Sequence, residues 1–352
     1  MRVLASSALP KPSTATSASD KKKPKKLKLS TAASSSDGKK QKKQKLSAAP
    51  LPPPRSSPPT IPPASHDPST LLLTLPPLTP ALVLKRPSAT IKSPYVADVR
   101  LPDGSIGLAH APALDVGGLC APGSWVLVAE RPPGGKTTHS IELVYCEGPE
   151  IEGGAALVGS HPRLGEKLAK VALERNLCGI GEITSMKEQV TINDSRVDFV
   201  VTPKAGPDHV VEVKNVVCAD YCKSTAPIPR NDNHCVVSRD EPIETFERAA
   251  IFPWGRLGQE FEGRKVVSER AIKHIRNLAR LAASGTPASV LYVVNRSDCA
   301  TVRACWEQDP TFANEMDKAK AKGMGVQSFA VEWTAAGECY YKGLVPYTAR
   351  GK

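Results

Sequence analysis

Residues 195–217 read SRVDFVVTPKAGPDHVVEVKNVV, and this stretch decides the fold that we predict. Two apolar runs flank a turn at 203–208 that is rich in Pro, Gly and Asp, a pattern typical of a β-hairpin. In a strand Glu212 and Lys214 point to one face, and the valines between and before them point to the other. The stretch therefore predicts two antiparallel strands that carry an acid and a base on one face.

The segments around this hairpin alternate between helical and strand patterns. Ser268 and Asp309 stand where N-caps are expected, and Gly323 stands where the last helix should end. Helices interleaved with a mixed sheet predict an α/β (α+β) domain over residues 149–352. We predict helices at 163–176, 268–283 and 310–322, and strands at 185–192, 195–202, 209–217, 289–295, 326–334 and 339–345.

Residues 81–148 have the pattern of short strands joined by turns. The tripeptide Pro102-Asp103-Gly104 separates two β-like runs, and Pro132-Pro133-Gly134-Gly135 separates two more. Four or five short strands in this length fit a small β-barrel of the OB type, and the spacing also fits another small barrel or an SH3-like module.

Residues 1–80 are predicted to be a disordered tail, because Lys runs and Pro clusters with few aromatic residues cannot bury enough apolar surface. Of the 47 Lys and Arg and the 35 Asp and Glu residues of the chain, 14 and 2 lie in residues 1–65, so this segment carries the whole net charge of +12. The Lys-rich run at 21–28 fits a nuclear-import signal, a phosphate-binding arm, part of an organelle transit peptide or a solvated tail.

The cysteine count and the hydropathy indicate an intracellular protein. Nine cysteines, without an apolar signal-peptide core, favour a reducing compartment. The apolar stretches are much shorter than the roughly 18 to 20 residues that span a bilayer, so no membrane partner is expected. Nucleus and organelle both stay open as locations, and the excess of Lys over Arg in the tail leans towards the nucleus.

The hairpin residues carry the candidate chemistry. Asp198 lies on the strand before the turn, so its carboxylate can approach that of Glu212. Two adjacent carboxylates repel each other unless a divalent cation neutralises them, and oxygen ligands of this kind suit Mg²⁺, with Mn²⁺ as an alternative. Such a metal would support phosphodiester hydrolysis, with Lys214 orienting the nucleophile or screening charge. The alternative is a surface ion cluster, because cross-strand charge pairs are common.

Four blocks of the sequence resemble, in order, those of the sugar fermentation stimulation protein A (SfsA) family. The resemblance runs from about Leu84 to the C-terminus, and it implies an OB-like barrel followed by a domain of the PD-(D/E)xK nuclease fold, with DNA binding. In this match Asp198, Glu212 and Lys214 take the acidic and lysine positions of the family. The blocks are Ser195-Arg-Val-Asp-Phe-Val, His209-Val-Val-Glu-Val-Lys-Asn-Val-Val, Phe252-Pro253 and Ser268-Glu-Arg-Ala-Ile-Lys-His-Ile-Arg-Asn-Leu.

The sequence also departs from the family pattern. The family's helix glutamate falls at Val171, so we predict that Glu174, or alternatively Glu166, takes its role. Residues 254–266 form an insertion where the family has an acid, and 110–115 replace the family's usual Asn-Thr-Gly run. These departures favour the alternative function, a non-catalytic DNA-binding or regulatory protein on a nuclease-derived fold.

Basic residues outside the hairpin indicate where nucleic acid binds. Arg270, Lys273 and His274 share one face of a predicted helix, and the family resemblance also places them at the interface. Lys85 and Arg86 at the start of the barrel are further candidates for phosphate contacts. We expect DNA as the partner, with RNA as an alternative, and a weaker interpretation leaves nucleic-acid binding to the tail of a protein-interaction module.

Cysteine and histidine residues after the hairpin raise the question of zinc. Cys218, Cys222, His234 and Cys235 are ligand types that zinc prefers. Their spacing is poor for a closed tetrahedral site, so we favour an insertion loop over a zinc site.

Overall fold

The computed structural model describes residues 56–63, 65–113, 116–192, 195–227 and 235–350, in which a mixed set of strands is joined by three α-helices. The predicted tail up to residue 55 lies outside the described residues. The helices are α1 (Arg163–Glu174), α2 (Glu269–Ala283) and α3 (Pro310–Ala321). The strands are β1 (Leu71–Thr74), β2 (Leu78–Lys85), β3 (Val96–Arg100), β4 (Ile106–His110), β5 (Trp125–Glu130), β6 (His139–Glu147), β7 (Ala155–Gly159), β8 (Ile183–Ile192), β9 (Ser195–Pro203), β10 (His209–Val216), β11 (Tyr221–Cys222), β12 (Ser238–Arg239), β13 (Ala249–Phe252), β14 (Gln259–Phe261), β15 (Arg264–Val266), β16 (Ala288–Val294), β17 (Thr301–Ala304), β18 (Gly325–Trp333), β19 (Glu338–Leu344) and β20 (Tyr347–Thr348).

The predicted hairpin lies inside a seven-stranded mixed sheet with the order β1-β19-β18-β16-β10-β9-β8. Strands β10, β16 and β18 run parallel to one another, whereas the outer neighbours pair antiparallel. Every residue of β16 is buried, as expected for a central strand covered on both faces. The predicted mixed-sheet α/β class is therefore confirmed.

Helices cover both faces of this sheet. Ile272 and Ile275 of α2 pack together with Phe312 of α3 on one face. Leu164 and Leu168 of α1 pack on the other. The predicted caps are present, since Ser268 Oγ accepts a hydrogen bond from the backbone N–H of Ala271 and Asp309 accepts one from that of Phe312.

Strands β2 to β6 close into a small barrel. Their antiparallel order is β4-β3-β2-β5-β6, and a parallel pairing of Ala109 with His139 joins β4 to β6. The turn at 102–104 connects β3 to β4 as predicted, and Gly104 adopts φ +85°, which a side chain would disfavour. The short-strand pattern of the sequence therefore predicted a closed barrel correctly.

The predicted boundaries at residues 80 and 148 do not coincide with the boundaries of the sheets. Strand β1 lies within the stretch predicted to be tail, yet it pairs with β19 because Leu71–Thr74 is a short apolar run that extends the sheet. Strand β7 follows residue 148, yet it pairs with β6 of the barrel. The described residues all belong to one compact unit.

A buried group of charges joins the barrel side to the α/β side. This arginine cluster consists of Arg248, Arg296, Asp298, Glu150 and the thiol of Cys146. Arg248 donates hydrogen bonds to Glu150 and Asp298, and Arg296 donates two to Asp298 at 2.6 Å. Both guanidinium groups also lie within 3.4 Å of Cys146 Sγ. The four charged side chains are at most 2% exposed, so they neutralise one another away from solvent.

None of the helices in the described part of the chain is long and apolar enough to cross a membrane.

Candidate functional site

Asp198 and Glu212 lie side by side on the sheet face covered by α2. Val211 and Val213 point to the opposite face, into the cluster that contains α1. The pairing of Val210 with Val200 and of Val211 with Phe199 brings Asp198 next to Glu212. The backbone N–H of Val213 donates a hydrogen bond of 2.8 Å to Asp198 Oδ2, which fixes this carboxylate against β10.

Two basic side chains hold the carboxylate of Glu212. Lys214 Nζ donates to Glu212 Oε1 at 2.6 Å, and His274 Nδ1 from α2 contacts the same oxygen. The side chains of Glu212 and Lys214 are only 4% and 12% exposed. These two side chains are too buried to form an exposed ion pair, so the alternative of a surface ion cluster is wrong.

The two carboxylates differ in their electrostatic environment. Burial raises the pKa of Asp198, and the nearby charge of Glu212 raises it further. Burial would also raise the pKa of Glu212, but hydrogen bonds and charge from His274 and Lys214 more than offset it and lower that pKa. Glu212 is therefore held as the anion, whereas Asp198 would gain most from an added cation.

His274 contacts charged groups through both ring nitrogens. Its Nδ1 contacts Glu212 Oε1 and lies 3.3 Å from Lys214 Nζ. Its Nε2 lies 3.3 Å from Arg270 Nε. The ring thus links the site to the exposed face of α2.

The helix glutamate that reaches the site is Glu166. Gln189 of β8 donates to Glu166 Oε2 at 3.2 Å and to Asp198 Oδ1 at 3.4 Å, so it bridges the two acids. The close approach of α1 to β10 explains this position, since a Cβ added at Gly165 would lie 2.6 Å from Asn215 Cβ. A larger residue at 165 would move Glu166 away from the sheet.

The prediction that Glu174 takes the helix position is therefore corrected. Glu174 is exposed at the last turn of α1, beside Lys170, and makes no hydrogen bond or ion pair to the described site residues. Glu166 and Glu174 both lie on the polar side of α1, and only the packing at Gly165 selects between them.

The donor set of the site fits Mg²⁺. No group of three or more His, Cys, Asp and Glu side chains in the described ranges is arranged to hold a metal ion. Mg²⁺, however, keeps several of its waters and commonly binds proteins through one or two carboxylates together with substrate phosphates. Asp198 and Glu212 supply two such carboxylates. Burial and, after it, the charge of Glu212 raise the pKa of Asp198, so a bound cation would stabilise its anionic form.

The comparisons with known proteins agree with this architecture. The family model described as the sugar fermentation stimulation protein RE domain matches residues 163–229 and 265–337, which contain Glu166, Asp198, Glu212, Lys214 and His274. A sugar fermentation stimulation protein homolog of Agrobacterium fabrum is 27% identical to this chain over 265 residues, covering 74% of this chain and 90% of the relative. These matches support the assignment of the chain to the SfsA family.

Other SfsA relatives are similar over comparable lengths. A homolog of Synechococcus is 26% identical over 246 residues, covering 69% of this chain and 84% of the relative. The structure of Pyrococcus furiosus SfsA in complex with Ca²⁺ matches with a TM-score of 0.56 and 19% identity, covering 79% of this chain and 99% of that one. The last match shows a shared fold.

The basic residues predicted on α2 lie on the rim of one groove. Arg270, Lys273 and His274 line a cavity of about 990 Å³, and Lys273 also pairs with Glu269 at 2.6 Å. The sequence analysis missed Arg196, which lines the same cavity from β9. A signal for it was present, because Arg196 is two residues before Asp198 and so shares its strand face.

The two barrel residues predicted to contact phosphate, Arg86 and Lys85, lie in different environments. Arg86 donates through all three guanidinium nitrogens to backbone carbonyls of Pro94, Ala113 and Cys120, so it ties barrel loops together. These bonds use three of its five N–H donors to hold the loops, and its predicted phosphate contact stays a prediction. Lys85 is exposed and stays a predicted contact.

The zinc interpretation gains no support from the described cysteines. Cys222 Sγ donates to the carbonyl of Glu241 at 3.2 Å, and Cys218 packs in an apolar cluster with Val237 and Ile251. Another residue of the zinc interpretation, His234, lies outside the described residues.

Proposed function

We propose that this SfsA-family chain binds DNA and hydrolyses phosphodiester bonds with the help of a divalent cation. The observation that carries the proposal is the buried group of Asp198, Glu212 and Lys214, with Glu166 bridged to Asp198 through Gln189. A fold has little reason to bury two neighbouring carboxylates and a lysine on an otherwise apolar face unless their chemistry is used.

Asp198 and Glu212 would hold Mg²⁺, or Mn²⁺ in its place. When bound, the cation would activate water and stabilise charge on the phosphoryl group. Asp198 is already oriented by the N–H of Val213, so its free lone pairs face the site. Lys214 Nζ, next to Glu212, carries a positive charge that can orient a water or screen the developing negative charge.

The relatives support the choice of cation class. The Pyrococcus furiosus SfsA structure is that of a complex with Ca²⁺, which like Mg²⁺ is a hard cation that prefers oxygen ligands. We propose that the barrel is of the OB type and has an accessory role in holding nucleic acid, because strands β2 to β6 close through the parallel β4–β6 pairing. Lys85 is the exposed barrel residue that we assign to this role.

The alternative function, DNA binding without cleavage, also has an observation in its favour. Lys214 and His274 already neutralise Glu212, and Glu166 is exposed and reaches Asp198 only through Gln189. A site of this kind could retain the fold and the basic surface without chemistry. Binding would then be independent of the cation.

The test uses the full chain with labelled single- and double-stranded DNA and RNA, in Mg²⁺, Mn²⁺ or EDTA. The variants are Asp198→Asn and Lys214→Gln, with Lys204→Gln as a matched control on the exposed turn after β9. We expect cation-dependent cleavage that falls at least about 100-fold in both site variants and is unchanged in the control. Binding without cleavage in every cation, with equal affinity in all variants, would establish the alternative.

A further inference from the structure

The cavity beside the candidate site forms a groove with four walls. This α2–α3 groove measures about 990 Å³ and is lined by α2, by the C-terminal half of α3, by Ser195 and Arg196 of β9, and by the β14–β15 hairpin. It reaches the candidate site at His274, whose Nδ1 contacts Glu212. The groove therefore starts where the two carboxylates lie and leads away from them.

Acidic side chains in the groove are neutralised within the protein. Each of the three glutamates that line it is ion-paired with a neighbouring base, so none leaves an uncompensated negative charge in the cavity. The pairs are Glu262 with Arg276, Glu315 with Arg276 and Lys318, and Glu269 with Lys273.

The remaining basic side chains give the groove its net charge. Arg196, Arg270 and Lys322 come from β9, α2 and the end of α3, and all three are exposed and line the groove. Within the described residues none of them has an ion pair with an acid. Positive charge from three separate elements therefore faces one concave surface.

The hairpin wall is built by interactions specific to this chain's insertion. Gln259 accepts a hydrogen bond from the backbone N–H of Glu269 and so anchors the hairpin to the start of α2. The guanidinium of Arg276 lies 4.5 Å above the ring of Phe261 and pairs with Glu262 at the turn. Strand β14 and this turn lie between the two stretches that the family model matches, so the wall adds to the shared fold.

We propose that the α2–α3 groove binds the phosphodiester backbone of one nucleic-acid strand, with Arg196, Arg270 and Lys322 contacting phosphates. The proposal rests on the proposed function, because it identifies the groove as the path of the strand that enters the site. Because these three bases come from β9, α2 and the end of α3, the backbone lies against those walls.

The length of the basic wall fits a short run of phosphates. From Arg270 to Arg280 the helix rises by about 15 Å at about 1.5 Å per residue. Phosphates of one strand recur about every 3.4 Å along a duplex axis, so the wall can face about four of them. Exposed arginines and lysines along such a wall position the backbone without reading base sequence.

The test compares two doubly substituted full-length chains with the same change in charge. Arg196→Gln/Lys322→Gln removes two groove contacts, whereas Lys187→Gln/Lys204→Gln removes two exposed lysines from the outer strands of the sheet. Binding to a single-stranded and a duplex DNA is measured in EDTA over a range of salt concentrations. Because the N-terminal tail is present in both chains, its contribution cancels in the comparison.

We expect the slope of log Kd against log salt to fall by about 1.4 on the single strand or about 1.8 on the duplex in the groove variant, at about 0.7 and 0.9 per lost contact. The DNA on which the slope falls by its own expected value is the bound form. A slope equal to that of the control variant on both DNAs would overturn the groove proposal. If the wild-type chain cleaves DNA and the slopes are unchanged, the groove proposal fails and the nuclease proposal stands. If the slopes change and the wild-type chain does not cleave, the nuclease proposal fails and the groove proposal stands.

Discussion

Asp298→Asn should be among the most destabilising single changes in the chain, because it removes the central anion of the arginine cluster. Asp298 accepts hydrogen bonds from Arg296 Nε and Nη2 at 2.6 Å and from Arg248 Nη1 at 2.5 Å. Burial alone would raise the pKa of Asp298, but the two guanidinium groups hold it well below its usual range. In the variant an amide N–H₂ would face guanidinium donors, and two buried cations would share only Glu150.

The magnitude follows from this loss of compensation. Removing one partner of a buried ion pair costs about 3–5 kcal/mol, because the other partner stays buried without a counter-charge. For a chain of this size the dependence of unfolding free energy on urea is about 3 kcal/mol per molar or somewhat more. The midpoint of unfolding should therefore fall by about 1 M.

Urea unfolding followed by tryptophan fluorescence measures this shift. The matched control is Asp240→Asn, which removes the same charge from an ion pair with Lys223 whose side chains are 82% and 64% exposed. An exposed pair contributes about 0.2–1 kcal/mol, so the control should move the midpoint by no more than about 0.3 M. Equal, small shifts in the two variants would refute the interpretation of the cluster as a compensated ion network.

Two further predictions concern the packing of α1 and the pair at α3. Gly165→Ala should cost about 1–3 kcal/mol and reduce cleavage, because the new Cβ meets Asn215 and displaces Glu166. Gly135→Ala, whose new Cβ would make only an ordinary contact of 3.7 Å with the backbone oxygen of Thr137, should change neither the urea midpoint nor the cleavage rate. Arg276 holds the pKa of Glu315 at about 2 rather than 4.5, so their pair stabilises the fold fully above pH 4.5 and loses this effect as the pH falls towards 2. Arg276→Met should therefore reduce stability by about 1 kcal/mol at pH 7 and by less at pH 2, and a constant difference across that range would contradict the assignment.

The local pattern of the sequence was sufficient for the elements and for the pair of carboxylates. Alternating valines predicted the face of Glu212, and the short turn at 203–208 predicted that the strand of Asp198 pairs with that of Glu212. Ser268 and Asp309 were identifiable as caps because their bonding partners lie three residues away in sequence. Each of these features depends on residues that are close in sequence, so the spacing of residue types along the chain predicts it directly.

Features that depend on contacts between distant segments could not be predicted from the local sequence pattern. Glu166 and Glu174 are equivalent in the helical pattern, and the choice between them depends on the contact of Gly165 with Asn215, fifty positions away. Arg86 is a residue type that commonly contacts phosphate, but its carbonyl partners come from loops that the barrel brings together. The nuclear or organellar location stays a prediction from the tail.

The arginine cluster also bears on how relatives of this protein could be recombined. Two of its members, Cys146 and Glu150, flank the junction between barrel and body, whereas Arg248 and Asp298 come from the second half of the chain. A chimera that joins the barrel of one homologue to the body of another would enclose unmatched charges unless both parents carry compatible residues at these positions. The barrel therefore has to be kept together with the oppositely charged residues of the body. Exchange of the two halves is constrained by electrostatics as well as by shape.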